Sequence, residues 1–523
     1  MSTALLSALL AISPGSAYAN EADKAVAGVY EAREKDWRNG AVVYQVLVDR
    51  FAPSDHLEAK RALYPSPKVL RRWDEVPKRG TYLPDAKVWS HEIEFWGGDL
   101  QSVRGKLGYV DKLGADVLYL NPIHLAYTNH KYDALDYREL SPEFGTKQDL
   151  KALIDDAHAR GLKVVLDGVF NHMGRNAPAF REAEQDPASR WREFFVWGAQ
   201  YPGGARIWRD AQNLVELNLE SPAVRDFLWN KPDSVVQSYL AQGVDGWRLD
   251  VGYDIGFAYL GELTRAAHAR KPGSLVVGEI ANYPRDWFPS VDGVMDFSLR
   301  MVVLGLANGE GDTRLGARMI ERMVTDAGID NMLKSWLMLD NHDTVRLATS
   351  VPDPKRHQLA LVLQFTLPGS PNIYYGSEMG MTGGGDPEMR APMRWDLERA
   401  DNYTFEWTRR LIAMRQSRRA LRVGDFRLLE SDKLLAYERY TDRIADAVIV
   451  VANPSREAVT EWVMVPDSKL MNDVNLVDLI DPANEPVGIH SALLQLTLAP
   501  GEVRVLAPDV AAKAGYTPYK RVK

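Results

Sequence analysis

Gly246-Trp247-Arg248-Leu249-Asp250 and, one helical stretch later, Leu275-Val276-Val277-Gly278-Glu279 are the segments on which the reading of the fold turns. Each is a short strand-forming run that ends on an acid. The same pattern recurs on both sides. Upstream lie Val42 to Val48, Val117 to Leu120 and Lys163 to Asp167. Downstream lie Gly293 to Phe297, Ser335 to Asp340 and Asn372 to Tyr375. Helical periodicity fills the intervals, as in Asp149 to Arg160, which Gly161 closes. Runs alternating with helices in this way predict an α/β fold: a closed parallel (β/α)₈ barrel, the TIM barrel, rather than an open sheet.

The ends of these runs carry the next inference. Asp49, Asn121, Asp167, Asp250, Glu279 and Asn341 to Asp343 each follow an apolar body. A barrel gathers the C-terminal ends of its strands at one mouth, so these side chains are expected to converge there. Helix capping accounts for one or two such positions. It does not account for acids at so many.

Beyond the barrel the character of the chain changes twice. From about 173 to 220 it is rich in Trp, Gly and Pro, which predicts a small excursion domain after the third strand. From about 421 to 510, runs such as Ala447 to Val451 with turns at Asn453-Pro454 and Pro500-Gly501 predict a C-terminal antiparallel β-sandwich. The barrel is then expected over 20–420 and a loosely held tail over 511–523. Residues 1–19, with the apolar run Leu5 to Ile12 and Ala17-Tyr18-Ala19, read as a secretory signal, implying a periplasmic or secreted protein.

Composition narrows the function classes. A net charge of −8 argues against nucleic acid or an anionic membrane as partner, and no later run is apolar and long enough to span a bilayer. The absence of cysteine excludes a thiol nucleophile, a cysteine–zinc site and disulfides. Most of the 14 Trp are expected in cores, the rest as flat platforms for sugar rings.

Arg248 and Asp250 are two apart on a strand and share a face, so the guanidinium is expected to keep the carboxylate ionised. Glu279, after an apolar run, is expected to hold a proton. One ionised and one protonated carboxyl are what glycosidic bond cleavage requires. Asp343 adds a third acid, beside His342. The candidate catalytic residues are therefore Asp250, Glu279 and Asp343, with Arg248, His172 and His342 as sugar-binding groups. No phosphate-binding glycine loop or His-Glu-x-x-His zinc pattern is present.

Together these motifs resemble the alpha-amylase family of retaining α-glucan hydrolases and transglycosylases, over about Tyr44 to Asp396. Asp167 to His172, Gly246 to Asp250, Gly278-Glu279-Ile280 and Leu339 to Asp343 are similar to its third-, fourth-, fifth- and seventh-strand motifs. The likeness implies Asp250 as nucleophile, Glu279 as general acid/base and Asp343 as transition-state stabiliser. Asn129 to Asp133 resembles the segment whose tyrosine, here Tyr132, stacks on the glucose at the cleavage point. Asp386 to Arg390 resembles the pair, Asp386 and Arg390, that grips the neighbouring glucose on the non-reducing side.

Within the family the chain most resembles the neopullulanase, cyclomaltodextrinase and maltogenic amylase group, through Trp96 to Leu100, Asn121-Pro122-Ile123 and Met381 to Gly384. That implies hydrolysis of α-1,4 bonds in maltodextrins, cyclodextrins or pullulan, with the α-glucan oligosaccharide as partner. Transglycosylation by the same three acids is the alternative. A non-catalytic barrel is remote, since all three acids are kept. Where those relatives carry a Trp after Gly-Glu-Ile this chain has Ala281-Asn282, which leaves Tyr283 or Trp287 for the stacking role. No cofactor is needed for the chemistry, and no metal ligand is assigned. The likeness allows a structural calcium at Asn171, with Asp254 standing where those enzymes have a His. The oligomeric state is left open.

Overall fold

The computed structural model describes residues 21–522, so the expected signal peptide at 1–19 lies outside the described residues. The eight strand-forming runs all become strands of one barrel: β1 Val43–Val46, β2 Val117–Leu120, β3 Lys163–Gly168, β4 Gly246–Leu249, β5 Leu275–Ile280, β6 Gly293–Asp296, β7 Trp336–Met338 and β8 Ser370–Tyr374. They pair in parallel in sequence order, and β8 returns to pair with β1. Closure follows because each crossover helix packs an apolar stripe onto the outside. The helix Lys147–Ala159, for example, buries Leu150, Leu153, Ile154 and Ala157. Its start is fixed by Thr146, whose side chain accepts from the Asp149 N–H.

The two faces of each strand feed two cores. Val43, Val117, Tyr119, Val165, Val277, Met295 and Trp336 point inward and fill the barrel. Their sequence neighbours Tyr44, Leu118, Val164, Val276 and Val294 pack outward against the helices. With the interior filled to the strand ends, the mouth becomes the place where polar side chains collect.

Three excursions rise around that mouth. The connection after β1 carries two short hairpin strands, Tyr82–Leu83 and Val88–Trp89. The connection after β2 forms the hairpin His124–Ala126 and Ala134–Leu140, with Tyr132 in its turn. After β3, His172–Gly174 pairs with Leu214–Glu216. The excursion they bound is held by Phe180 stacked on Trp197 (5.4 Å between centroids) and edge-on to Phe195.

The C-terminal part is antiparallel, as expected. Strands β9 Asp425–Leu428, β10 Leu435–Tyr440, β11 Val448–Ala452, β12 Val459–Met464, β13 Val474–Asp478, β14 Val487–Ile489, β15 Leu493–Leu498 and β16 Val503–Pro508 form two sheets. The larger has the order β9-β10-β11-β16-β13-β14, and β12 pairs with β15. Ile449, Val451 and Leu506 from the first meet Val463, Leu494 and Leu496 from the second. The segment after 510 departs from the expected loose tail: Tyr519 is buried with Ile444 and Ala447, an apolar anchor on an otherwise polar stretch.

Candidate active site

Arg248 organises the mouth. In the register of β3 and β4 it sits beside Asp167, and it is completely buried. Its Nη1 donates to both oxygens of Asp167 (2.9 and 3.1 Å) and to Oδ1 of Asp250 (3.0 Å). Its Nη2 lies 2.9 Å from Oε2 of Glu279, an ion pair without hydrogen-bond alignment. One guanidinium thus touches three carboxylates. Asp167 is further held by the hydroxyls of Tyr119 (2.6 Å) and Tyr132 (2.8 Å).

Glu279 does not have the apolar surroundings expected of it. Besides Arg248, the Val251 N–H donates to its Oε2 at 2.8 Å. Val251 reaches this position in the left-handed region, at φ 41°, which is rare for a β-branched residue and marks a strained site. The Asp250 carboxyl is itself shifted upward. Burial raises it, and Glu279, Asp167 and Asp343 add to that against the opposing pull of Arg248, so the carboxyl stands well above the ordinary range. The expectation that Arg248 keeps Asp250 ionised is corrected accordingly, because the guanidinium is shared with Asp167 and Glu279.

Asp343 is gripped from two sides, by His342 Nε2 (2.9 Å) and by Arg390 Nη2 (2.9 Å). Burial works to raise its carboxyl, but His342, Arg390 and Arg248 outweigh burial and hold it far below the usual range. Arg390 also pairs with Asp386 (3.2 Å), whose second oxygen meets Nε2 of His91 at 3.2 Å. Against burial, His91 and Arg390 bring the Asp386 carboxyl down to about 2.

Tyr132 and His342 lie parallel, 5.3 Å apart with 4° between their planes. The tautomer of His342 follows from a chain of amides. Asn372 donates to Oε1 of Gln45 (3.1 Å), and Gln45 Nε2 faces Asn121 Oδ1 (3.0 Å) and His342 Nδ1 (2.9 Å). Nδ1 therefore accepts, and the proton on Nε2 points to the Tyr132 hydroxyl (2.6 Å) and Asp343. His172 Nε2 lies 3.8 Å from Asp250 Oδ2 with no hydrogen-bond partner among the described residues. Burial pushes its ring down to about 3, so it is neutral at ordinary pH.

Every candidate residue thus joins one connected constellation, and the structure adds members. Asp167 and Asn121 were expected at the mouth without an assigned role, and Gln45 was legible only as a strand residue. Trp208, from the excursion, stacks towards His172 at 5.7 Å and donates through Nε1 to Asp254 at 2.8 Å. Its only sequence signal was membership of a Trp-rich stretch. Asp49 is the exception among the strand-end acids. It is fully buried and accepts the N–H groups of Trp96 and Gly97, so it fastens a loop instead of reaching the mouth. Trp287 lies buried beneath the exposed Phe257, 4.0 Å between centroids, and the Tyr283 hydroxyl is tied to Asp326.

A calcium ion does not fit the residues at its implied position. Asn171, Glu216 and Asp254 line a cavity of about 380 Å³ that Arg206 also enters. Arg206 forms an ion pair with Glu216, and Asp254 is taken by Trp208. Burial pushes the Glu216 carboxyl up, the opposite of what a cation ligand needs. Among the described residues no cluster of three or more His, Asp or Glu side chains has a metal-ligand arrangement.

Comparison with known proteins agrees with this geometry. The model of the alpha-amylase catalytic domain matches residues 45–440. The chain belongs to the alpha-amylase family. Among family members it is 32% identical over 490 residues to neopullulanase 2 of Thermoactinomyces vulgaris, covering 90% of this chain and 78% of that protein. It is 32% identical over 438 residues to a cyclomaltodextrinase of a Bacillus species, covering 81% and 74%. In structure it is similar to the cyclic alpha-maltosyl-(1→6)-maltose hydrolase of Arthrobacter globiformis, with a TM-score of 0.74, 28% identity, and coverage of 90% and 99%. The expected relationship to the neopullulanase and cyclomaltodextrinase group holds. Among the described residues no helix is long and apolar enough to cross a membrane.

Proposed function

We propose that the protein hydrolyses α-1,4-glucosidic bonds of maltodextrins, cyclodextrins or pullulan with retention of configuration. The observation that carries this is the guanidinium of Arg248 in contact with both Asp250 and Glu279, with Asp343 facing the same mouth. One guanidinium holds both carboxyls as neighbours, and retaining enzymes need such a close pair, about 5–5.5 Å apart.

Substrate places its glycosidic oxygen against Glu279, which as general acid gives its proton to that oxygen as the bond breaks. Asp250 attacks the anomeric carbon, the leaving chain departs as an alcohol, and a β-glucosyl ester forms. Glu279, now a carboxylate, takes a proton from water. The water oxygen attacks the anomeric carbon and releases Asp250. Asp343, ionised throughout, neutral His172 and the His342 ring hold hydroxyls of the distorted ring. Tyr132 supplies its flat face, while Asp386 and Arg390 hold the next glucose. The chemistry requires no metal. Transfer to a sugar acceptor is the second reading, favoured by the exposed ring of Phe257 on Trp287 close to the segment that follows Glu279. Export to the periplasm or the medium is part of the proposal and rests on Leu5 to Ile12 and Ala17-Tyr18-Ala19.

Product analysis on maltoheptaose, β-cyclodextrin and pullulan, with anomer-resolved NMR, tests this. Early α-anomeric maltose or panose supports the reading. Longer or newly branched products favour transfer, and β-anomeric products or none at all overturn it.

A further inference from the structure

The hairpin Tyr82–Leu83/Val88–Trp89 rises in the first connection of the barrel, and the segment that leaves it is wired into the mouth twice. His91 meets Asp386 at 3.2 Å, and Glu92 pairs with His130 at 3.4 Å. The His130 ring in turn stacks on Tyr132, 5.8 Å between centroids. Glu92 also reaches back to accept the Trp89 N–H. The segment is therefore fixed to two residues that the proposed mechanism places against sugar.

Its first residue is left uncovered. Trp89 is 37% exposed, although a large aromatic in so well anchored a segment would ordinarily be buried. Its ring centre lies 6.2 Å from that of His91, the residue whose Nε2 meets Asp386. Tyr82 supports it edge-on at 5.6 Å. Exposed Arg79 stands over the indole at 5.4 Å, placing a charged donor beside the ring. The hairpin does not stand free. Tyr82 donates to Gln212 (3.3 Å) and Asn176 donates to the Ala86 carbonyl (3.2 Å), so it is bridged to the excursion that forms the other wall.

We propose that Trp89, with Arg79 beside it, is a platform for the glucose unit beyond the one held by Asp386 and Arg390, extending the cleft towards the non-reducing end of an α-1,4-glucan. An apolar sugar face rests on the uncovered part of the indole, and Arg79 donates to its hydroxyls. His91 couples this unit to Asp386, so chain length is read by the same strip of backbone that sets the neighbouring subsite. The inference rests on the proposed function.

The test compares maltotriose with maltoheptaose as substrates of the wild type, Trp89→Ala and Trp89→Phe. Loss of one stacking contact is expected to lower the ratio of kcat/KM for maltoheptaose over maltotriose by about tenfold in Trp89→Ala, with recovery in Trp89→Phe. An unchanged ratio overturns the platform. So does an equal loss on both substrates, which would reduce Trp89 to a support for the hairpin. Should the wild type cleave neither sugar, the proposed reaction fails separately. Calorimetric binding of maltoheptaose to Asp250→Asn with and without Trp89→Ala then decides: weaker binding in the double variant supports the platform, and equal binding overturns it.

Discussion

Nη2 of Arg248 lies 2.9 Å from Oε2 of Glu279. The side chain that steadies the expected nucleophile is thereby also a partner of the expected acid, and it reaches Asp167 as well. A lysine has the charge but not the fork. Arg248→Lys is expected to lower kcat by about 10²–10³-fold, the scale of one preorganised electrostatic contact, and to lower Tm because buried Asp167 loses its partner. Steady-state kinetics and calorimetry check both.

Asp250→Asn is expected to reduce kcat by at least about 10⁴-fold while raising stability at neutral pH. The folded-state pKa of Asp250 is raised by burial and neighbouring carboxylates. Its ionisation therefore opposes folding. The cost is absent below the ordinary carboxylate pKa, about 3.9, and grows as pH rises towards the folded value. The Tm gain of the variant should accordingly be present at pH 7 and vanish near pH 3. A variant less stable than wild type at pH 7 would contradict this.

Asp343 has the opposite sign. Its depressed pKa contributes stability that is present above the ordinary carboxylate pKa and is lost as pH falls through the folded value. Asp343→Asn is expected to be slightly less stable than wild type at pH 7, with the difference closing in acid. The side chain is 41% exposed, so solvent screens much of the effect. Activity should fall by about 10²–10³-fold, since Arg390 and His342 lose the anion they orient.

Gln45 acts through His342. Gln45→Glu replaces the donor at Nδ1 by an acceptor, which draws the histidine proton away from Tyr132 and Asp343. A kcat loss on the order of ten- to hundredfold is expected, together with a shifted pH–rate profile. A change in Tm alone, with kcat and the profile intact, would assign Gln45 a purely structural role.

Because Arg206 occupies Glu216, metal removal should be without effect. Tm and activity are expected to be equal in EDTA and in millimolar calcium. Arg206→Ala should lower Tm, leaving the Glu216 carboxyl without its counter-charge. A calcium-dependent Tm in the wild type would show that the cavity takes a cation after all.

The residues by themselves determined the barrel and most of its mouth. Alternation of apolar runs and helices is a local pattern, and a closed barrel is the arrangement that buries every such run, so Asp250, Glu279 and Asp343 had to meet. The resemblance to the alpha-amylase family, not spacing, pointed Tyr132, His172, Arg248, His342, Asp386 and Arg390 to the same place. Contacts between distant segments were decided only by tertiary structure. Asp49 has the same sequence signature as Asp250, but the Trp96-Gly97 backbone closes over it and takes its charge. Glu279 follows an apolar run, yet the Val251 N–H and Arg248 arrive from the neighbouring strand end and give it polar partners. Trp208, Arg206 and Trp89 lie in excursions without strand periodicity, and their roles exist only once the chain has folded back over the mouth. A strand's pattern fixes which way its side chains point; the charge and solvent each one meets depend on partners far away in sequence, and those set its pKa and its chemistry.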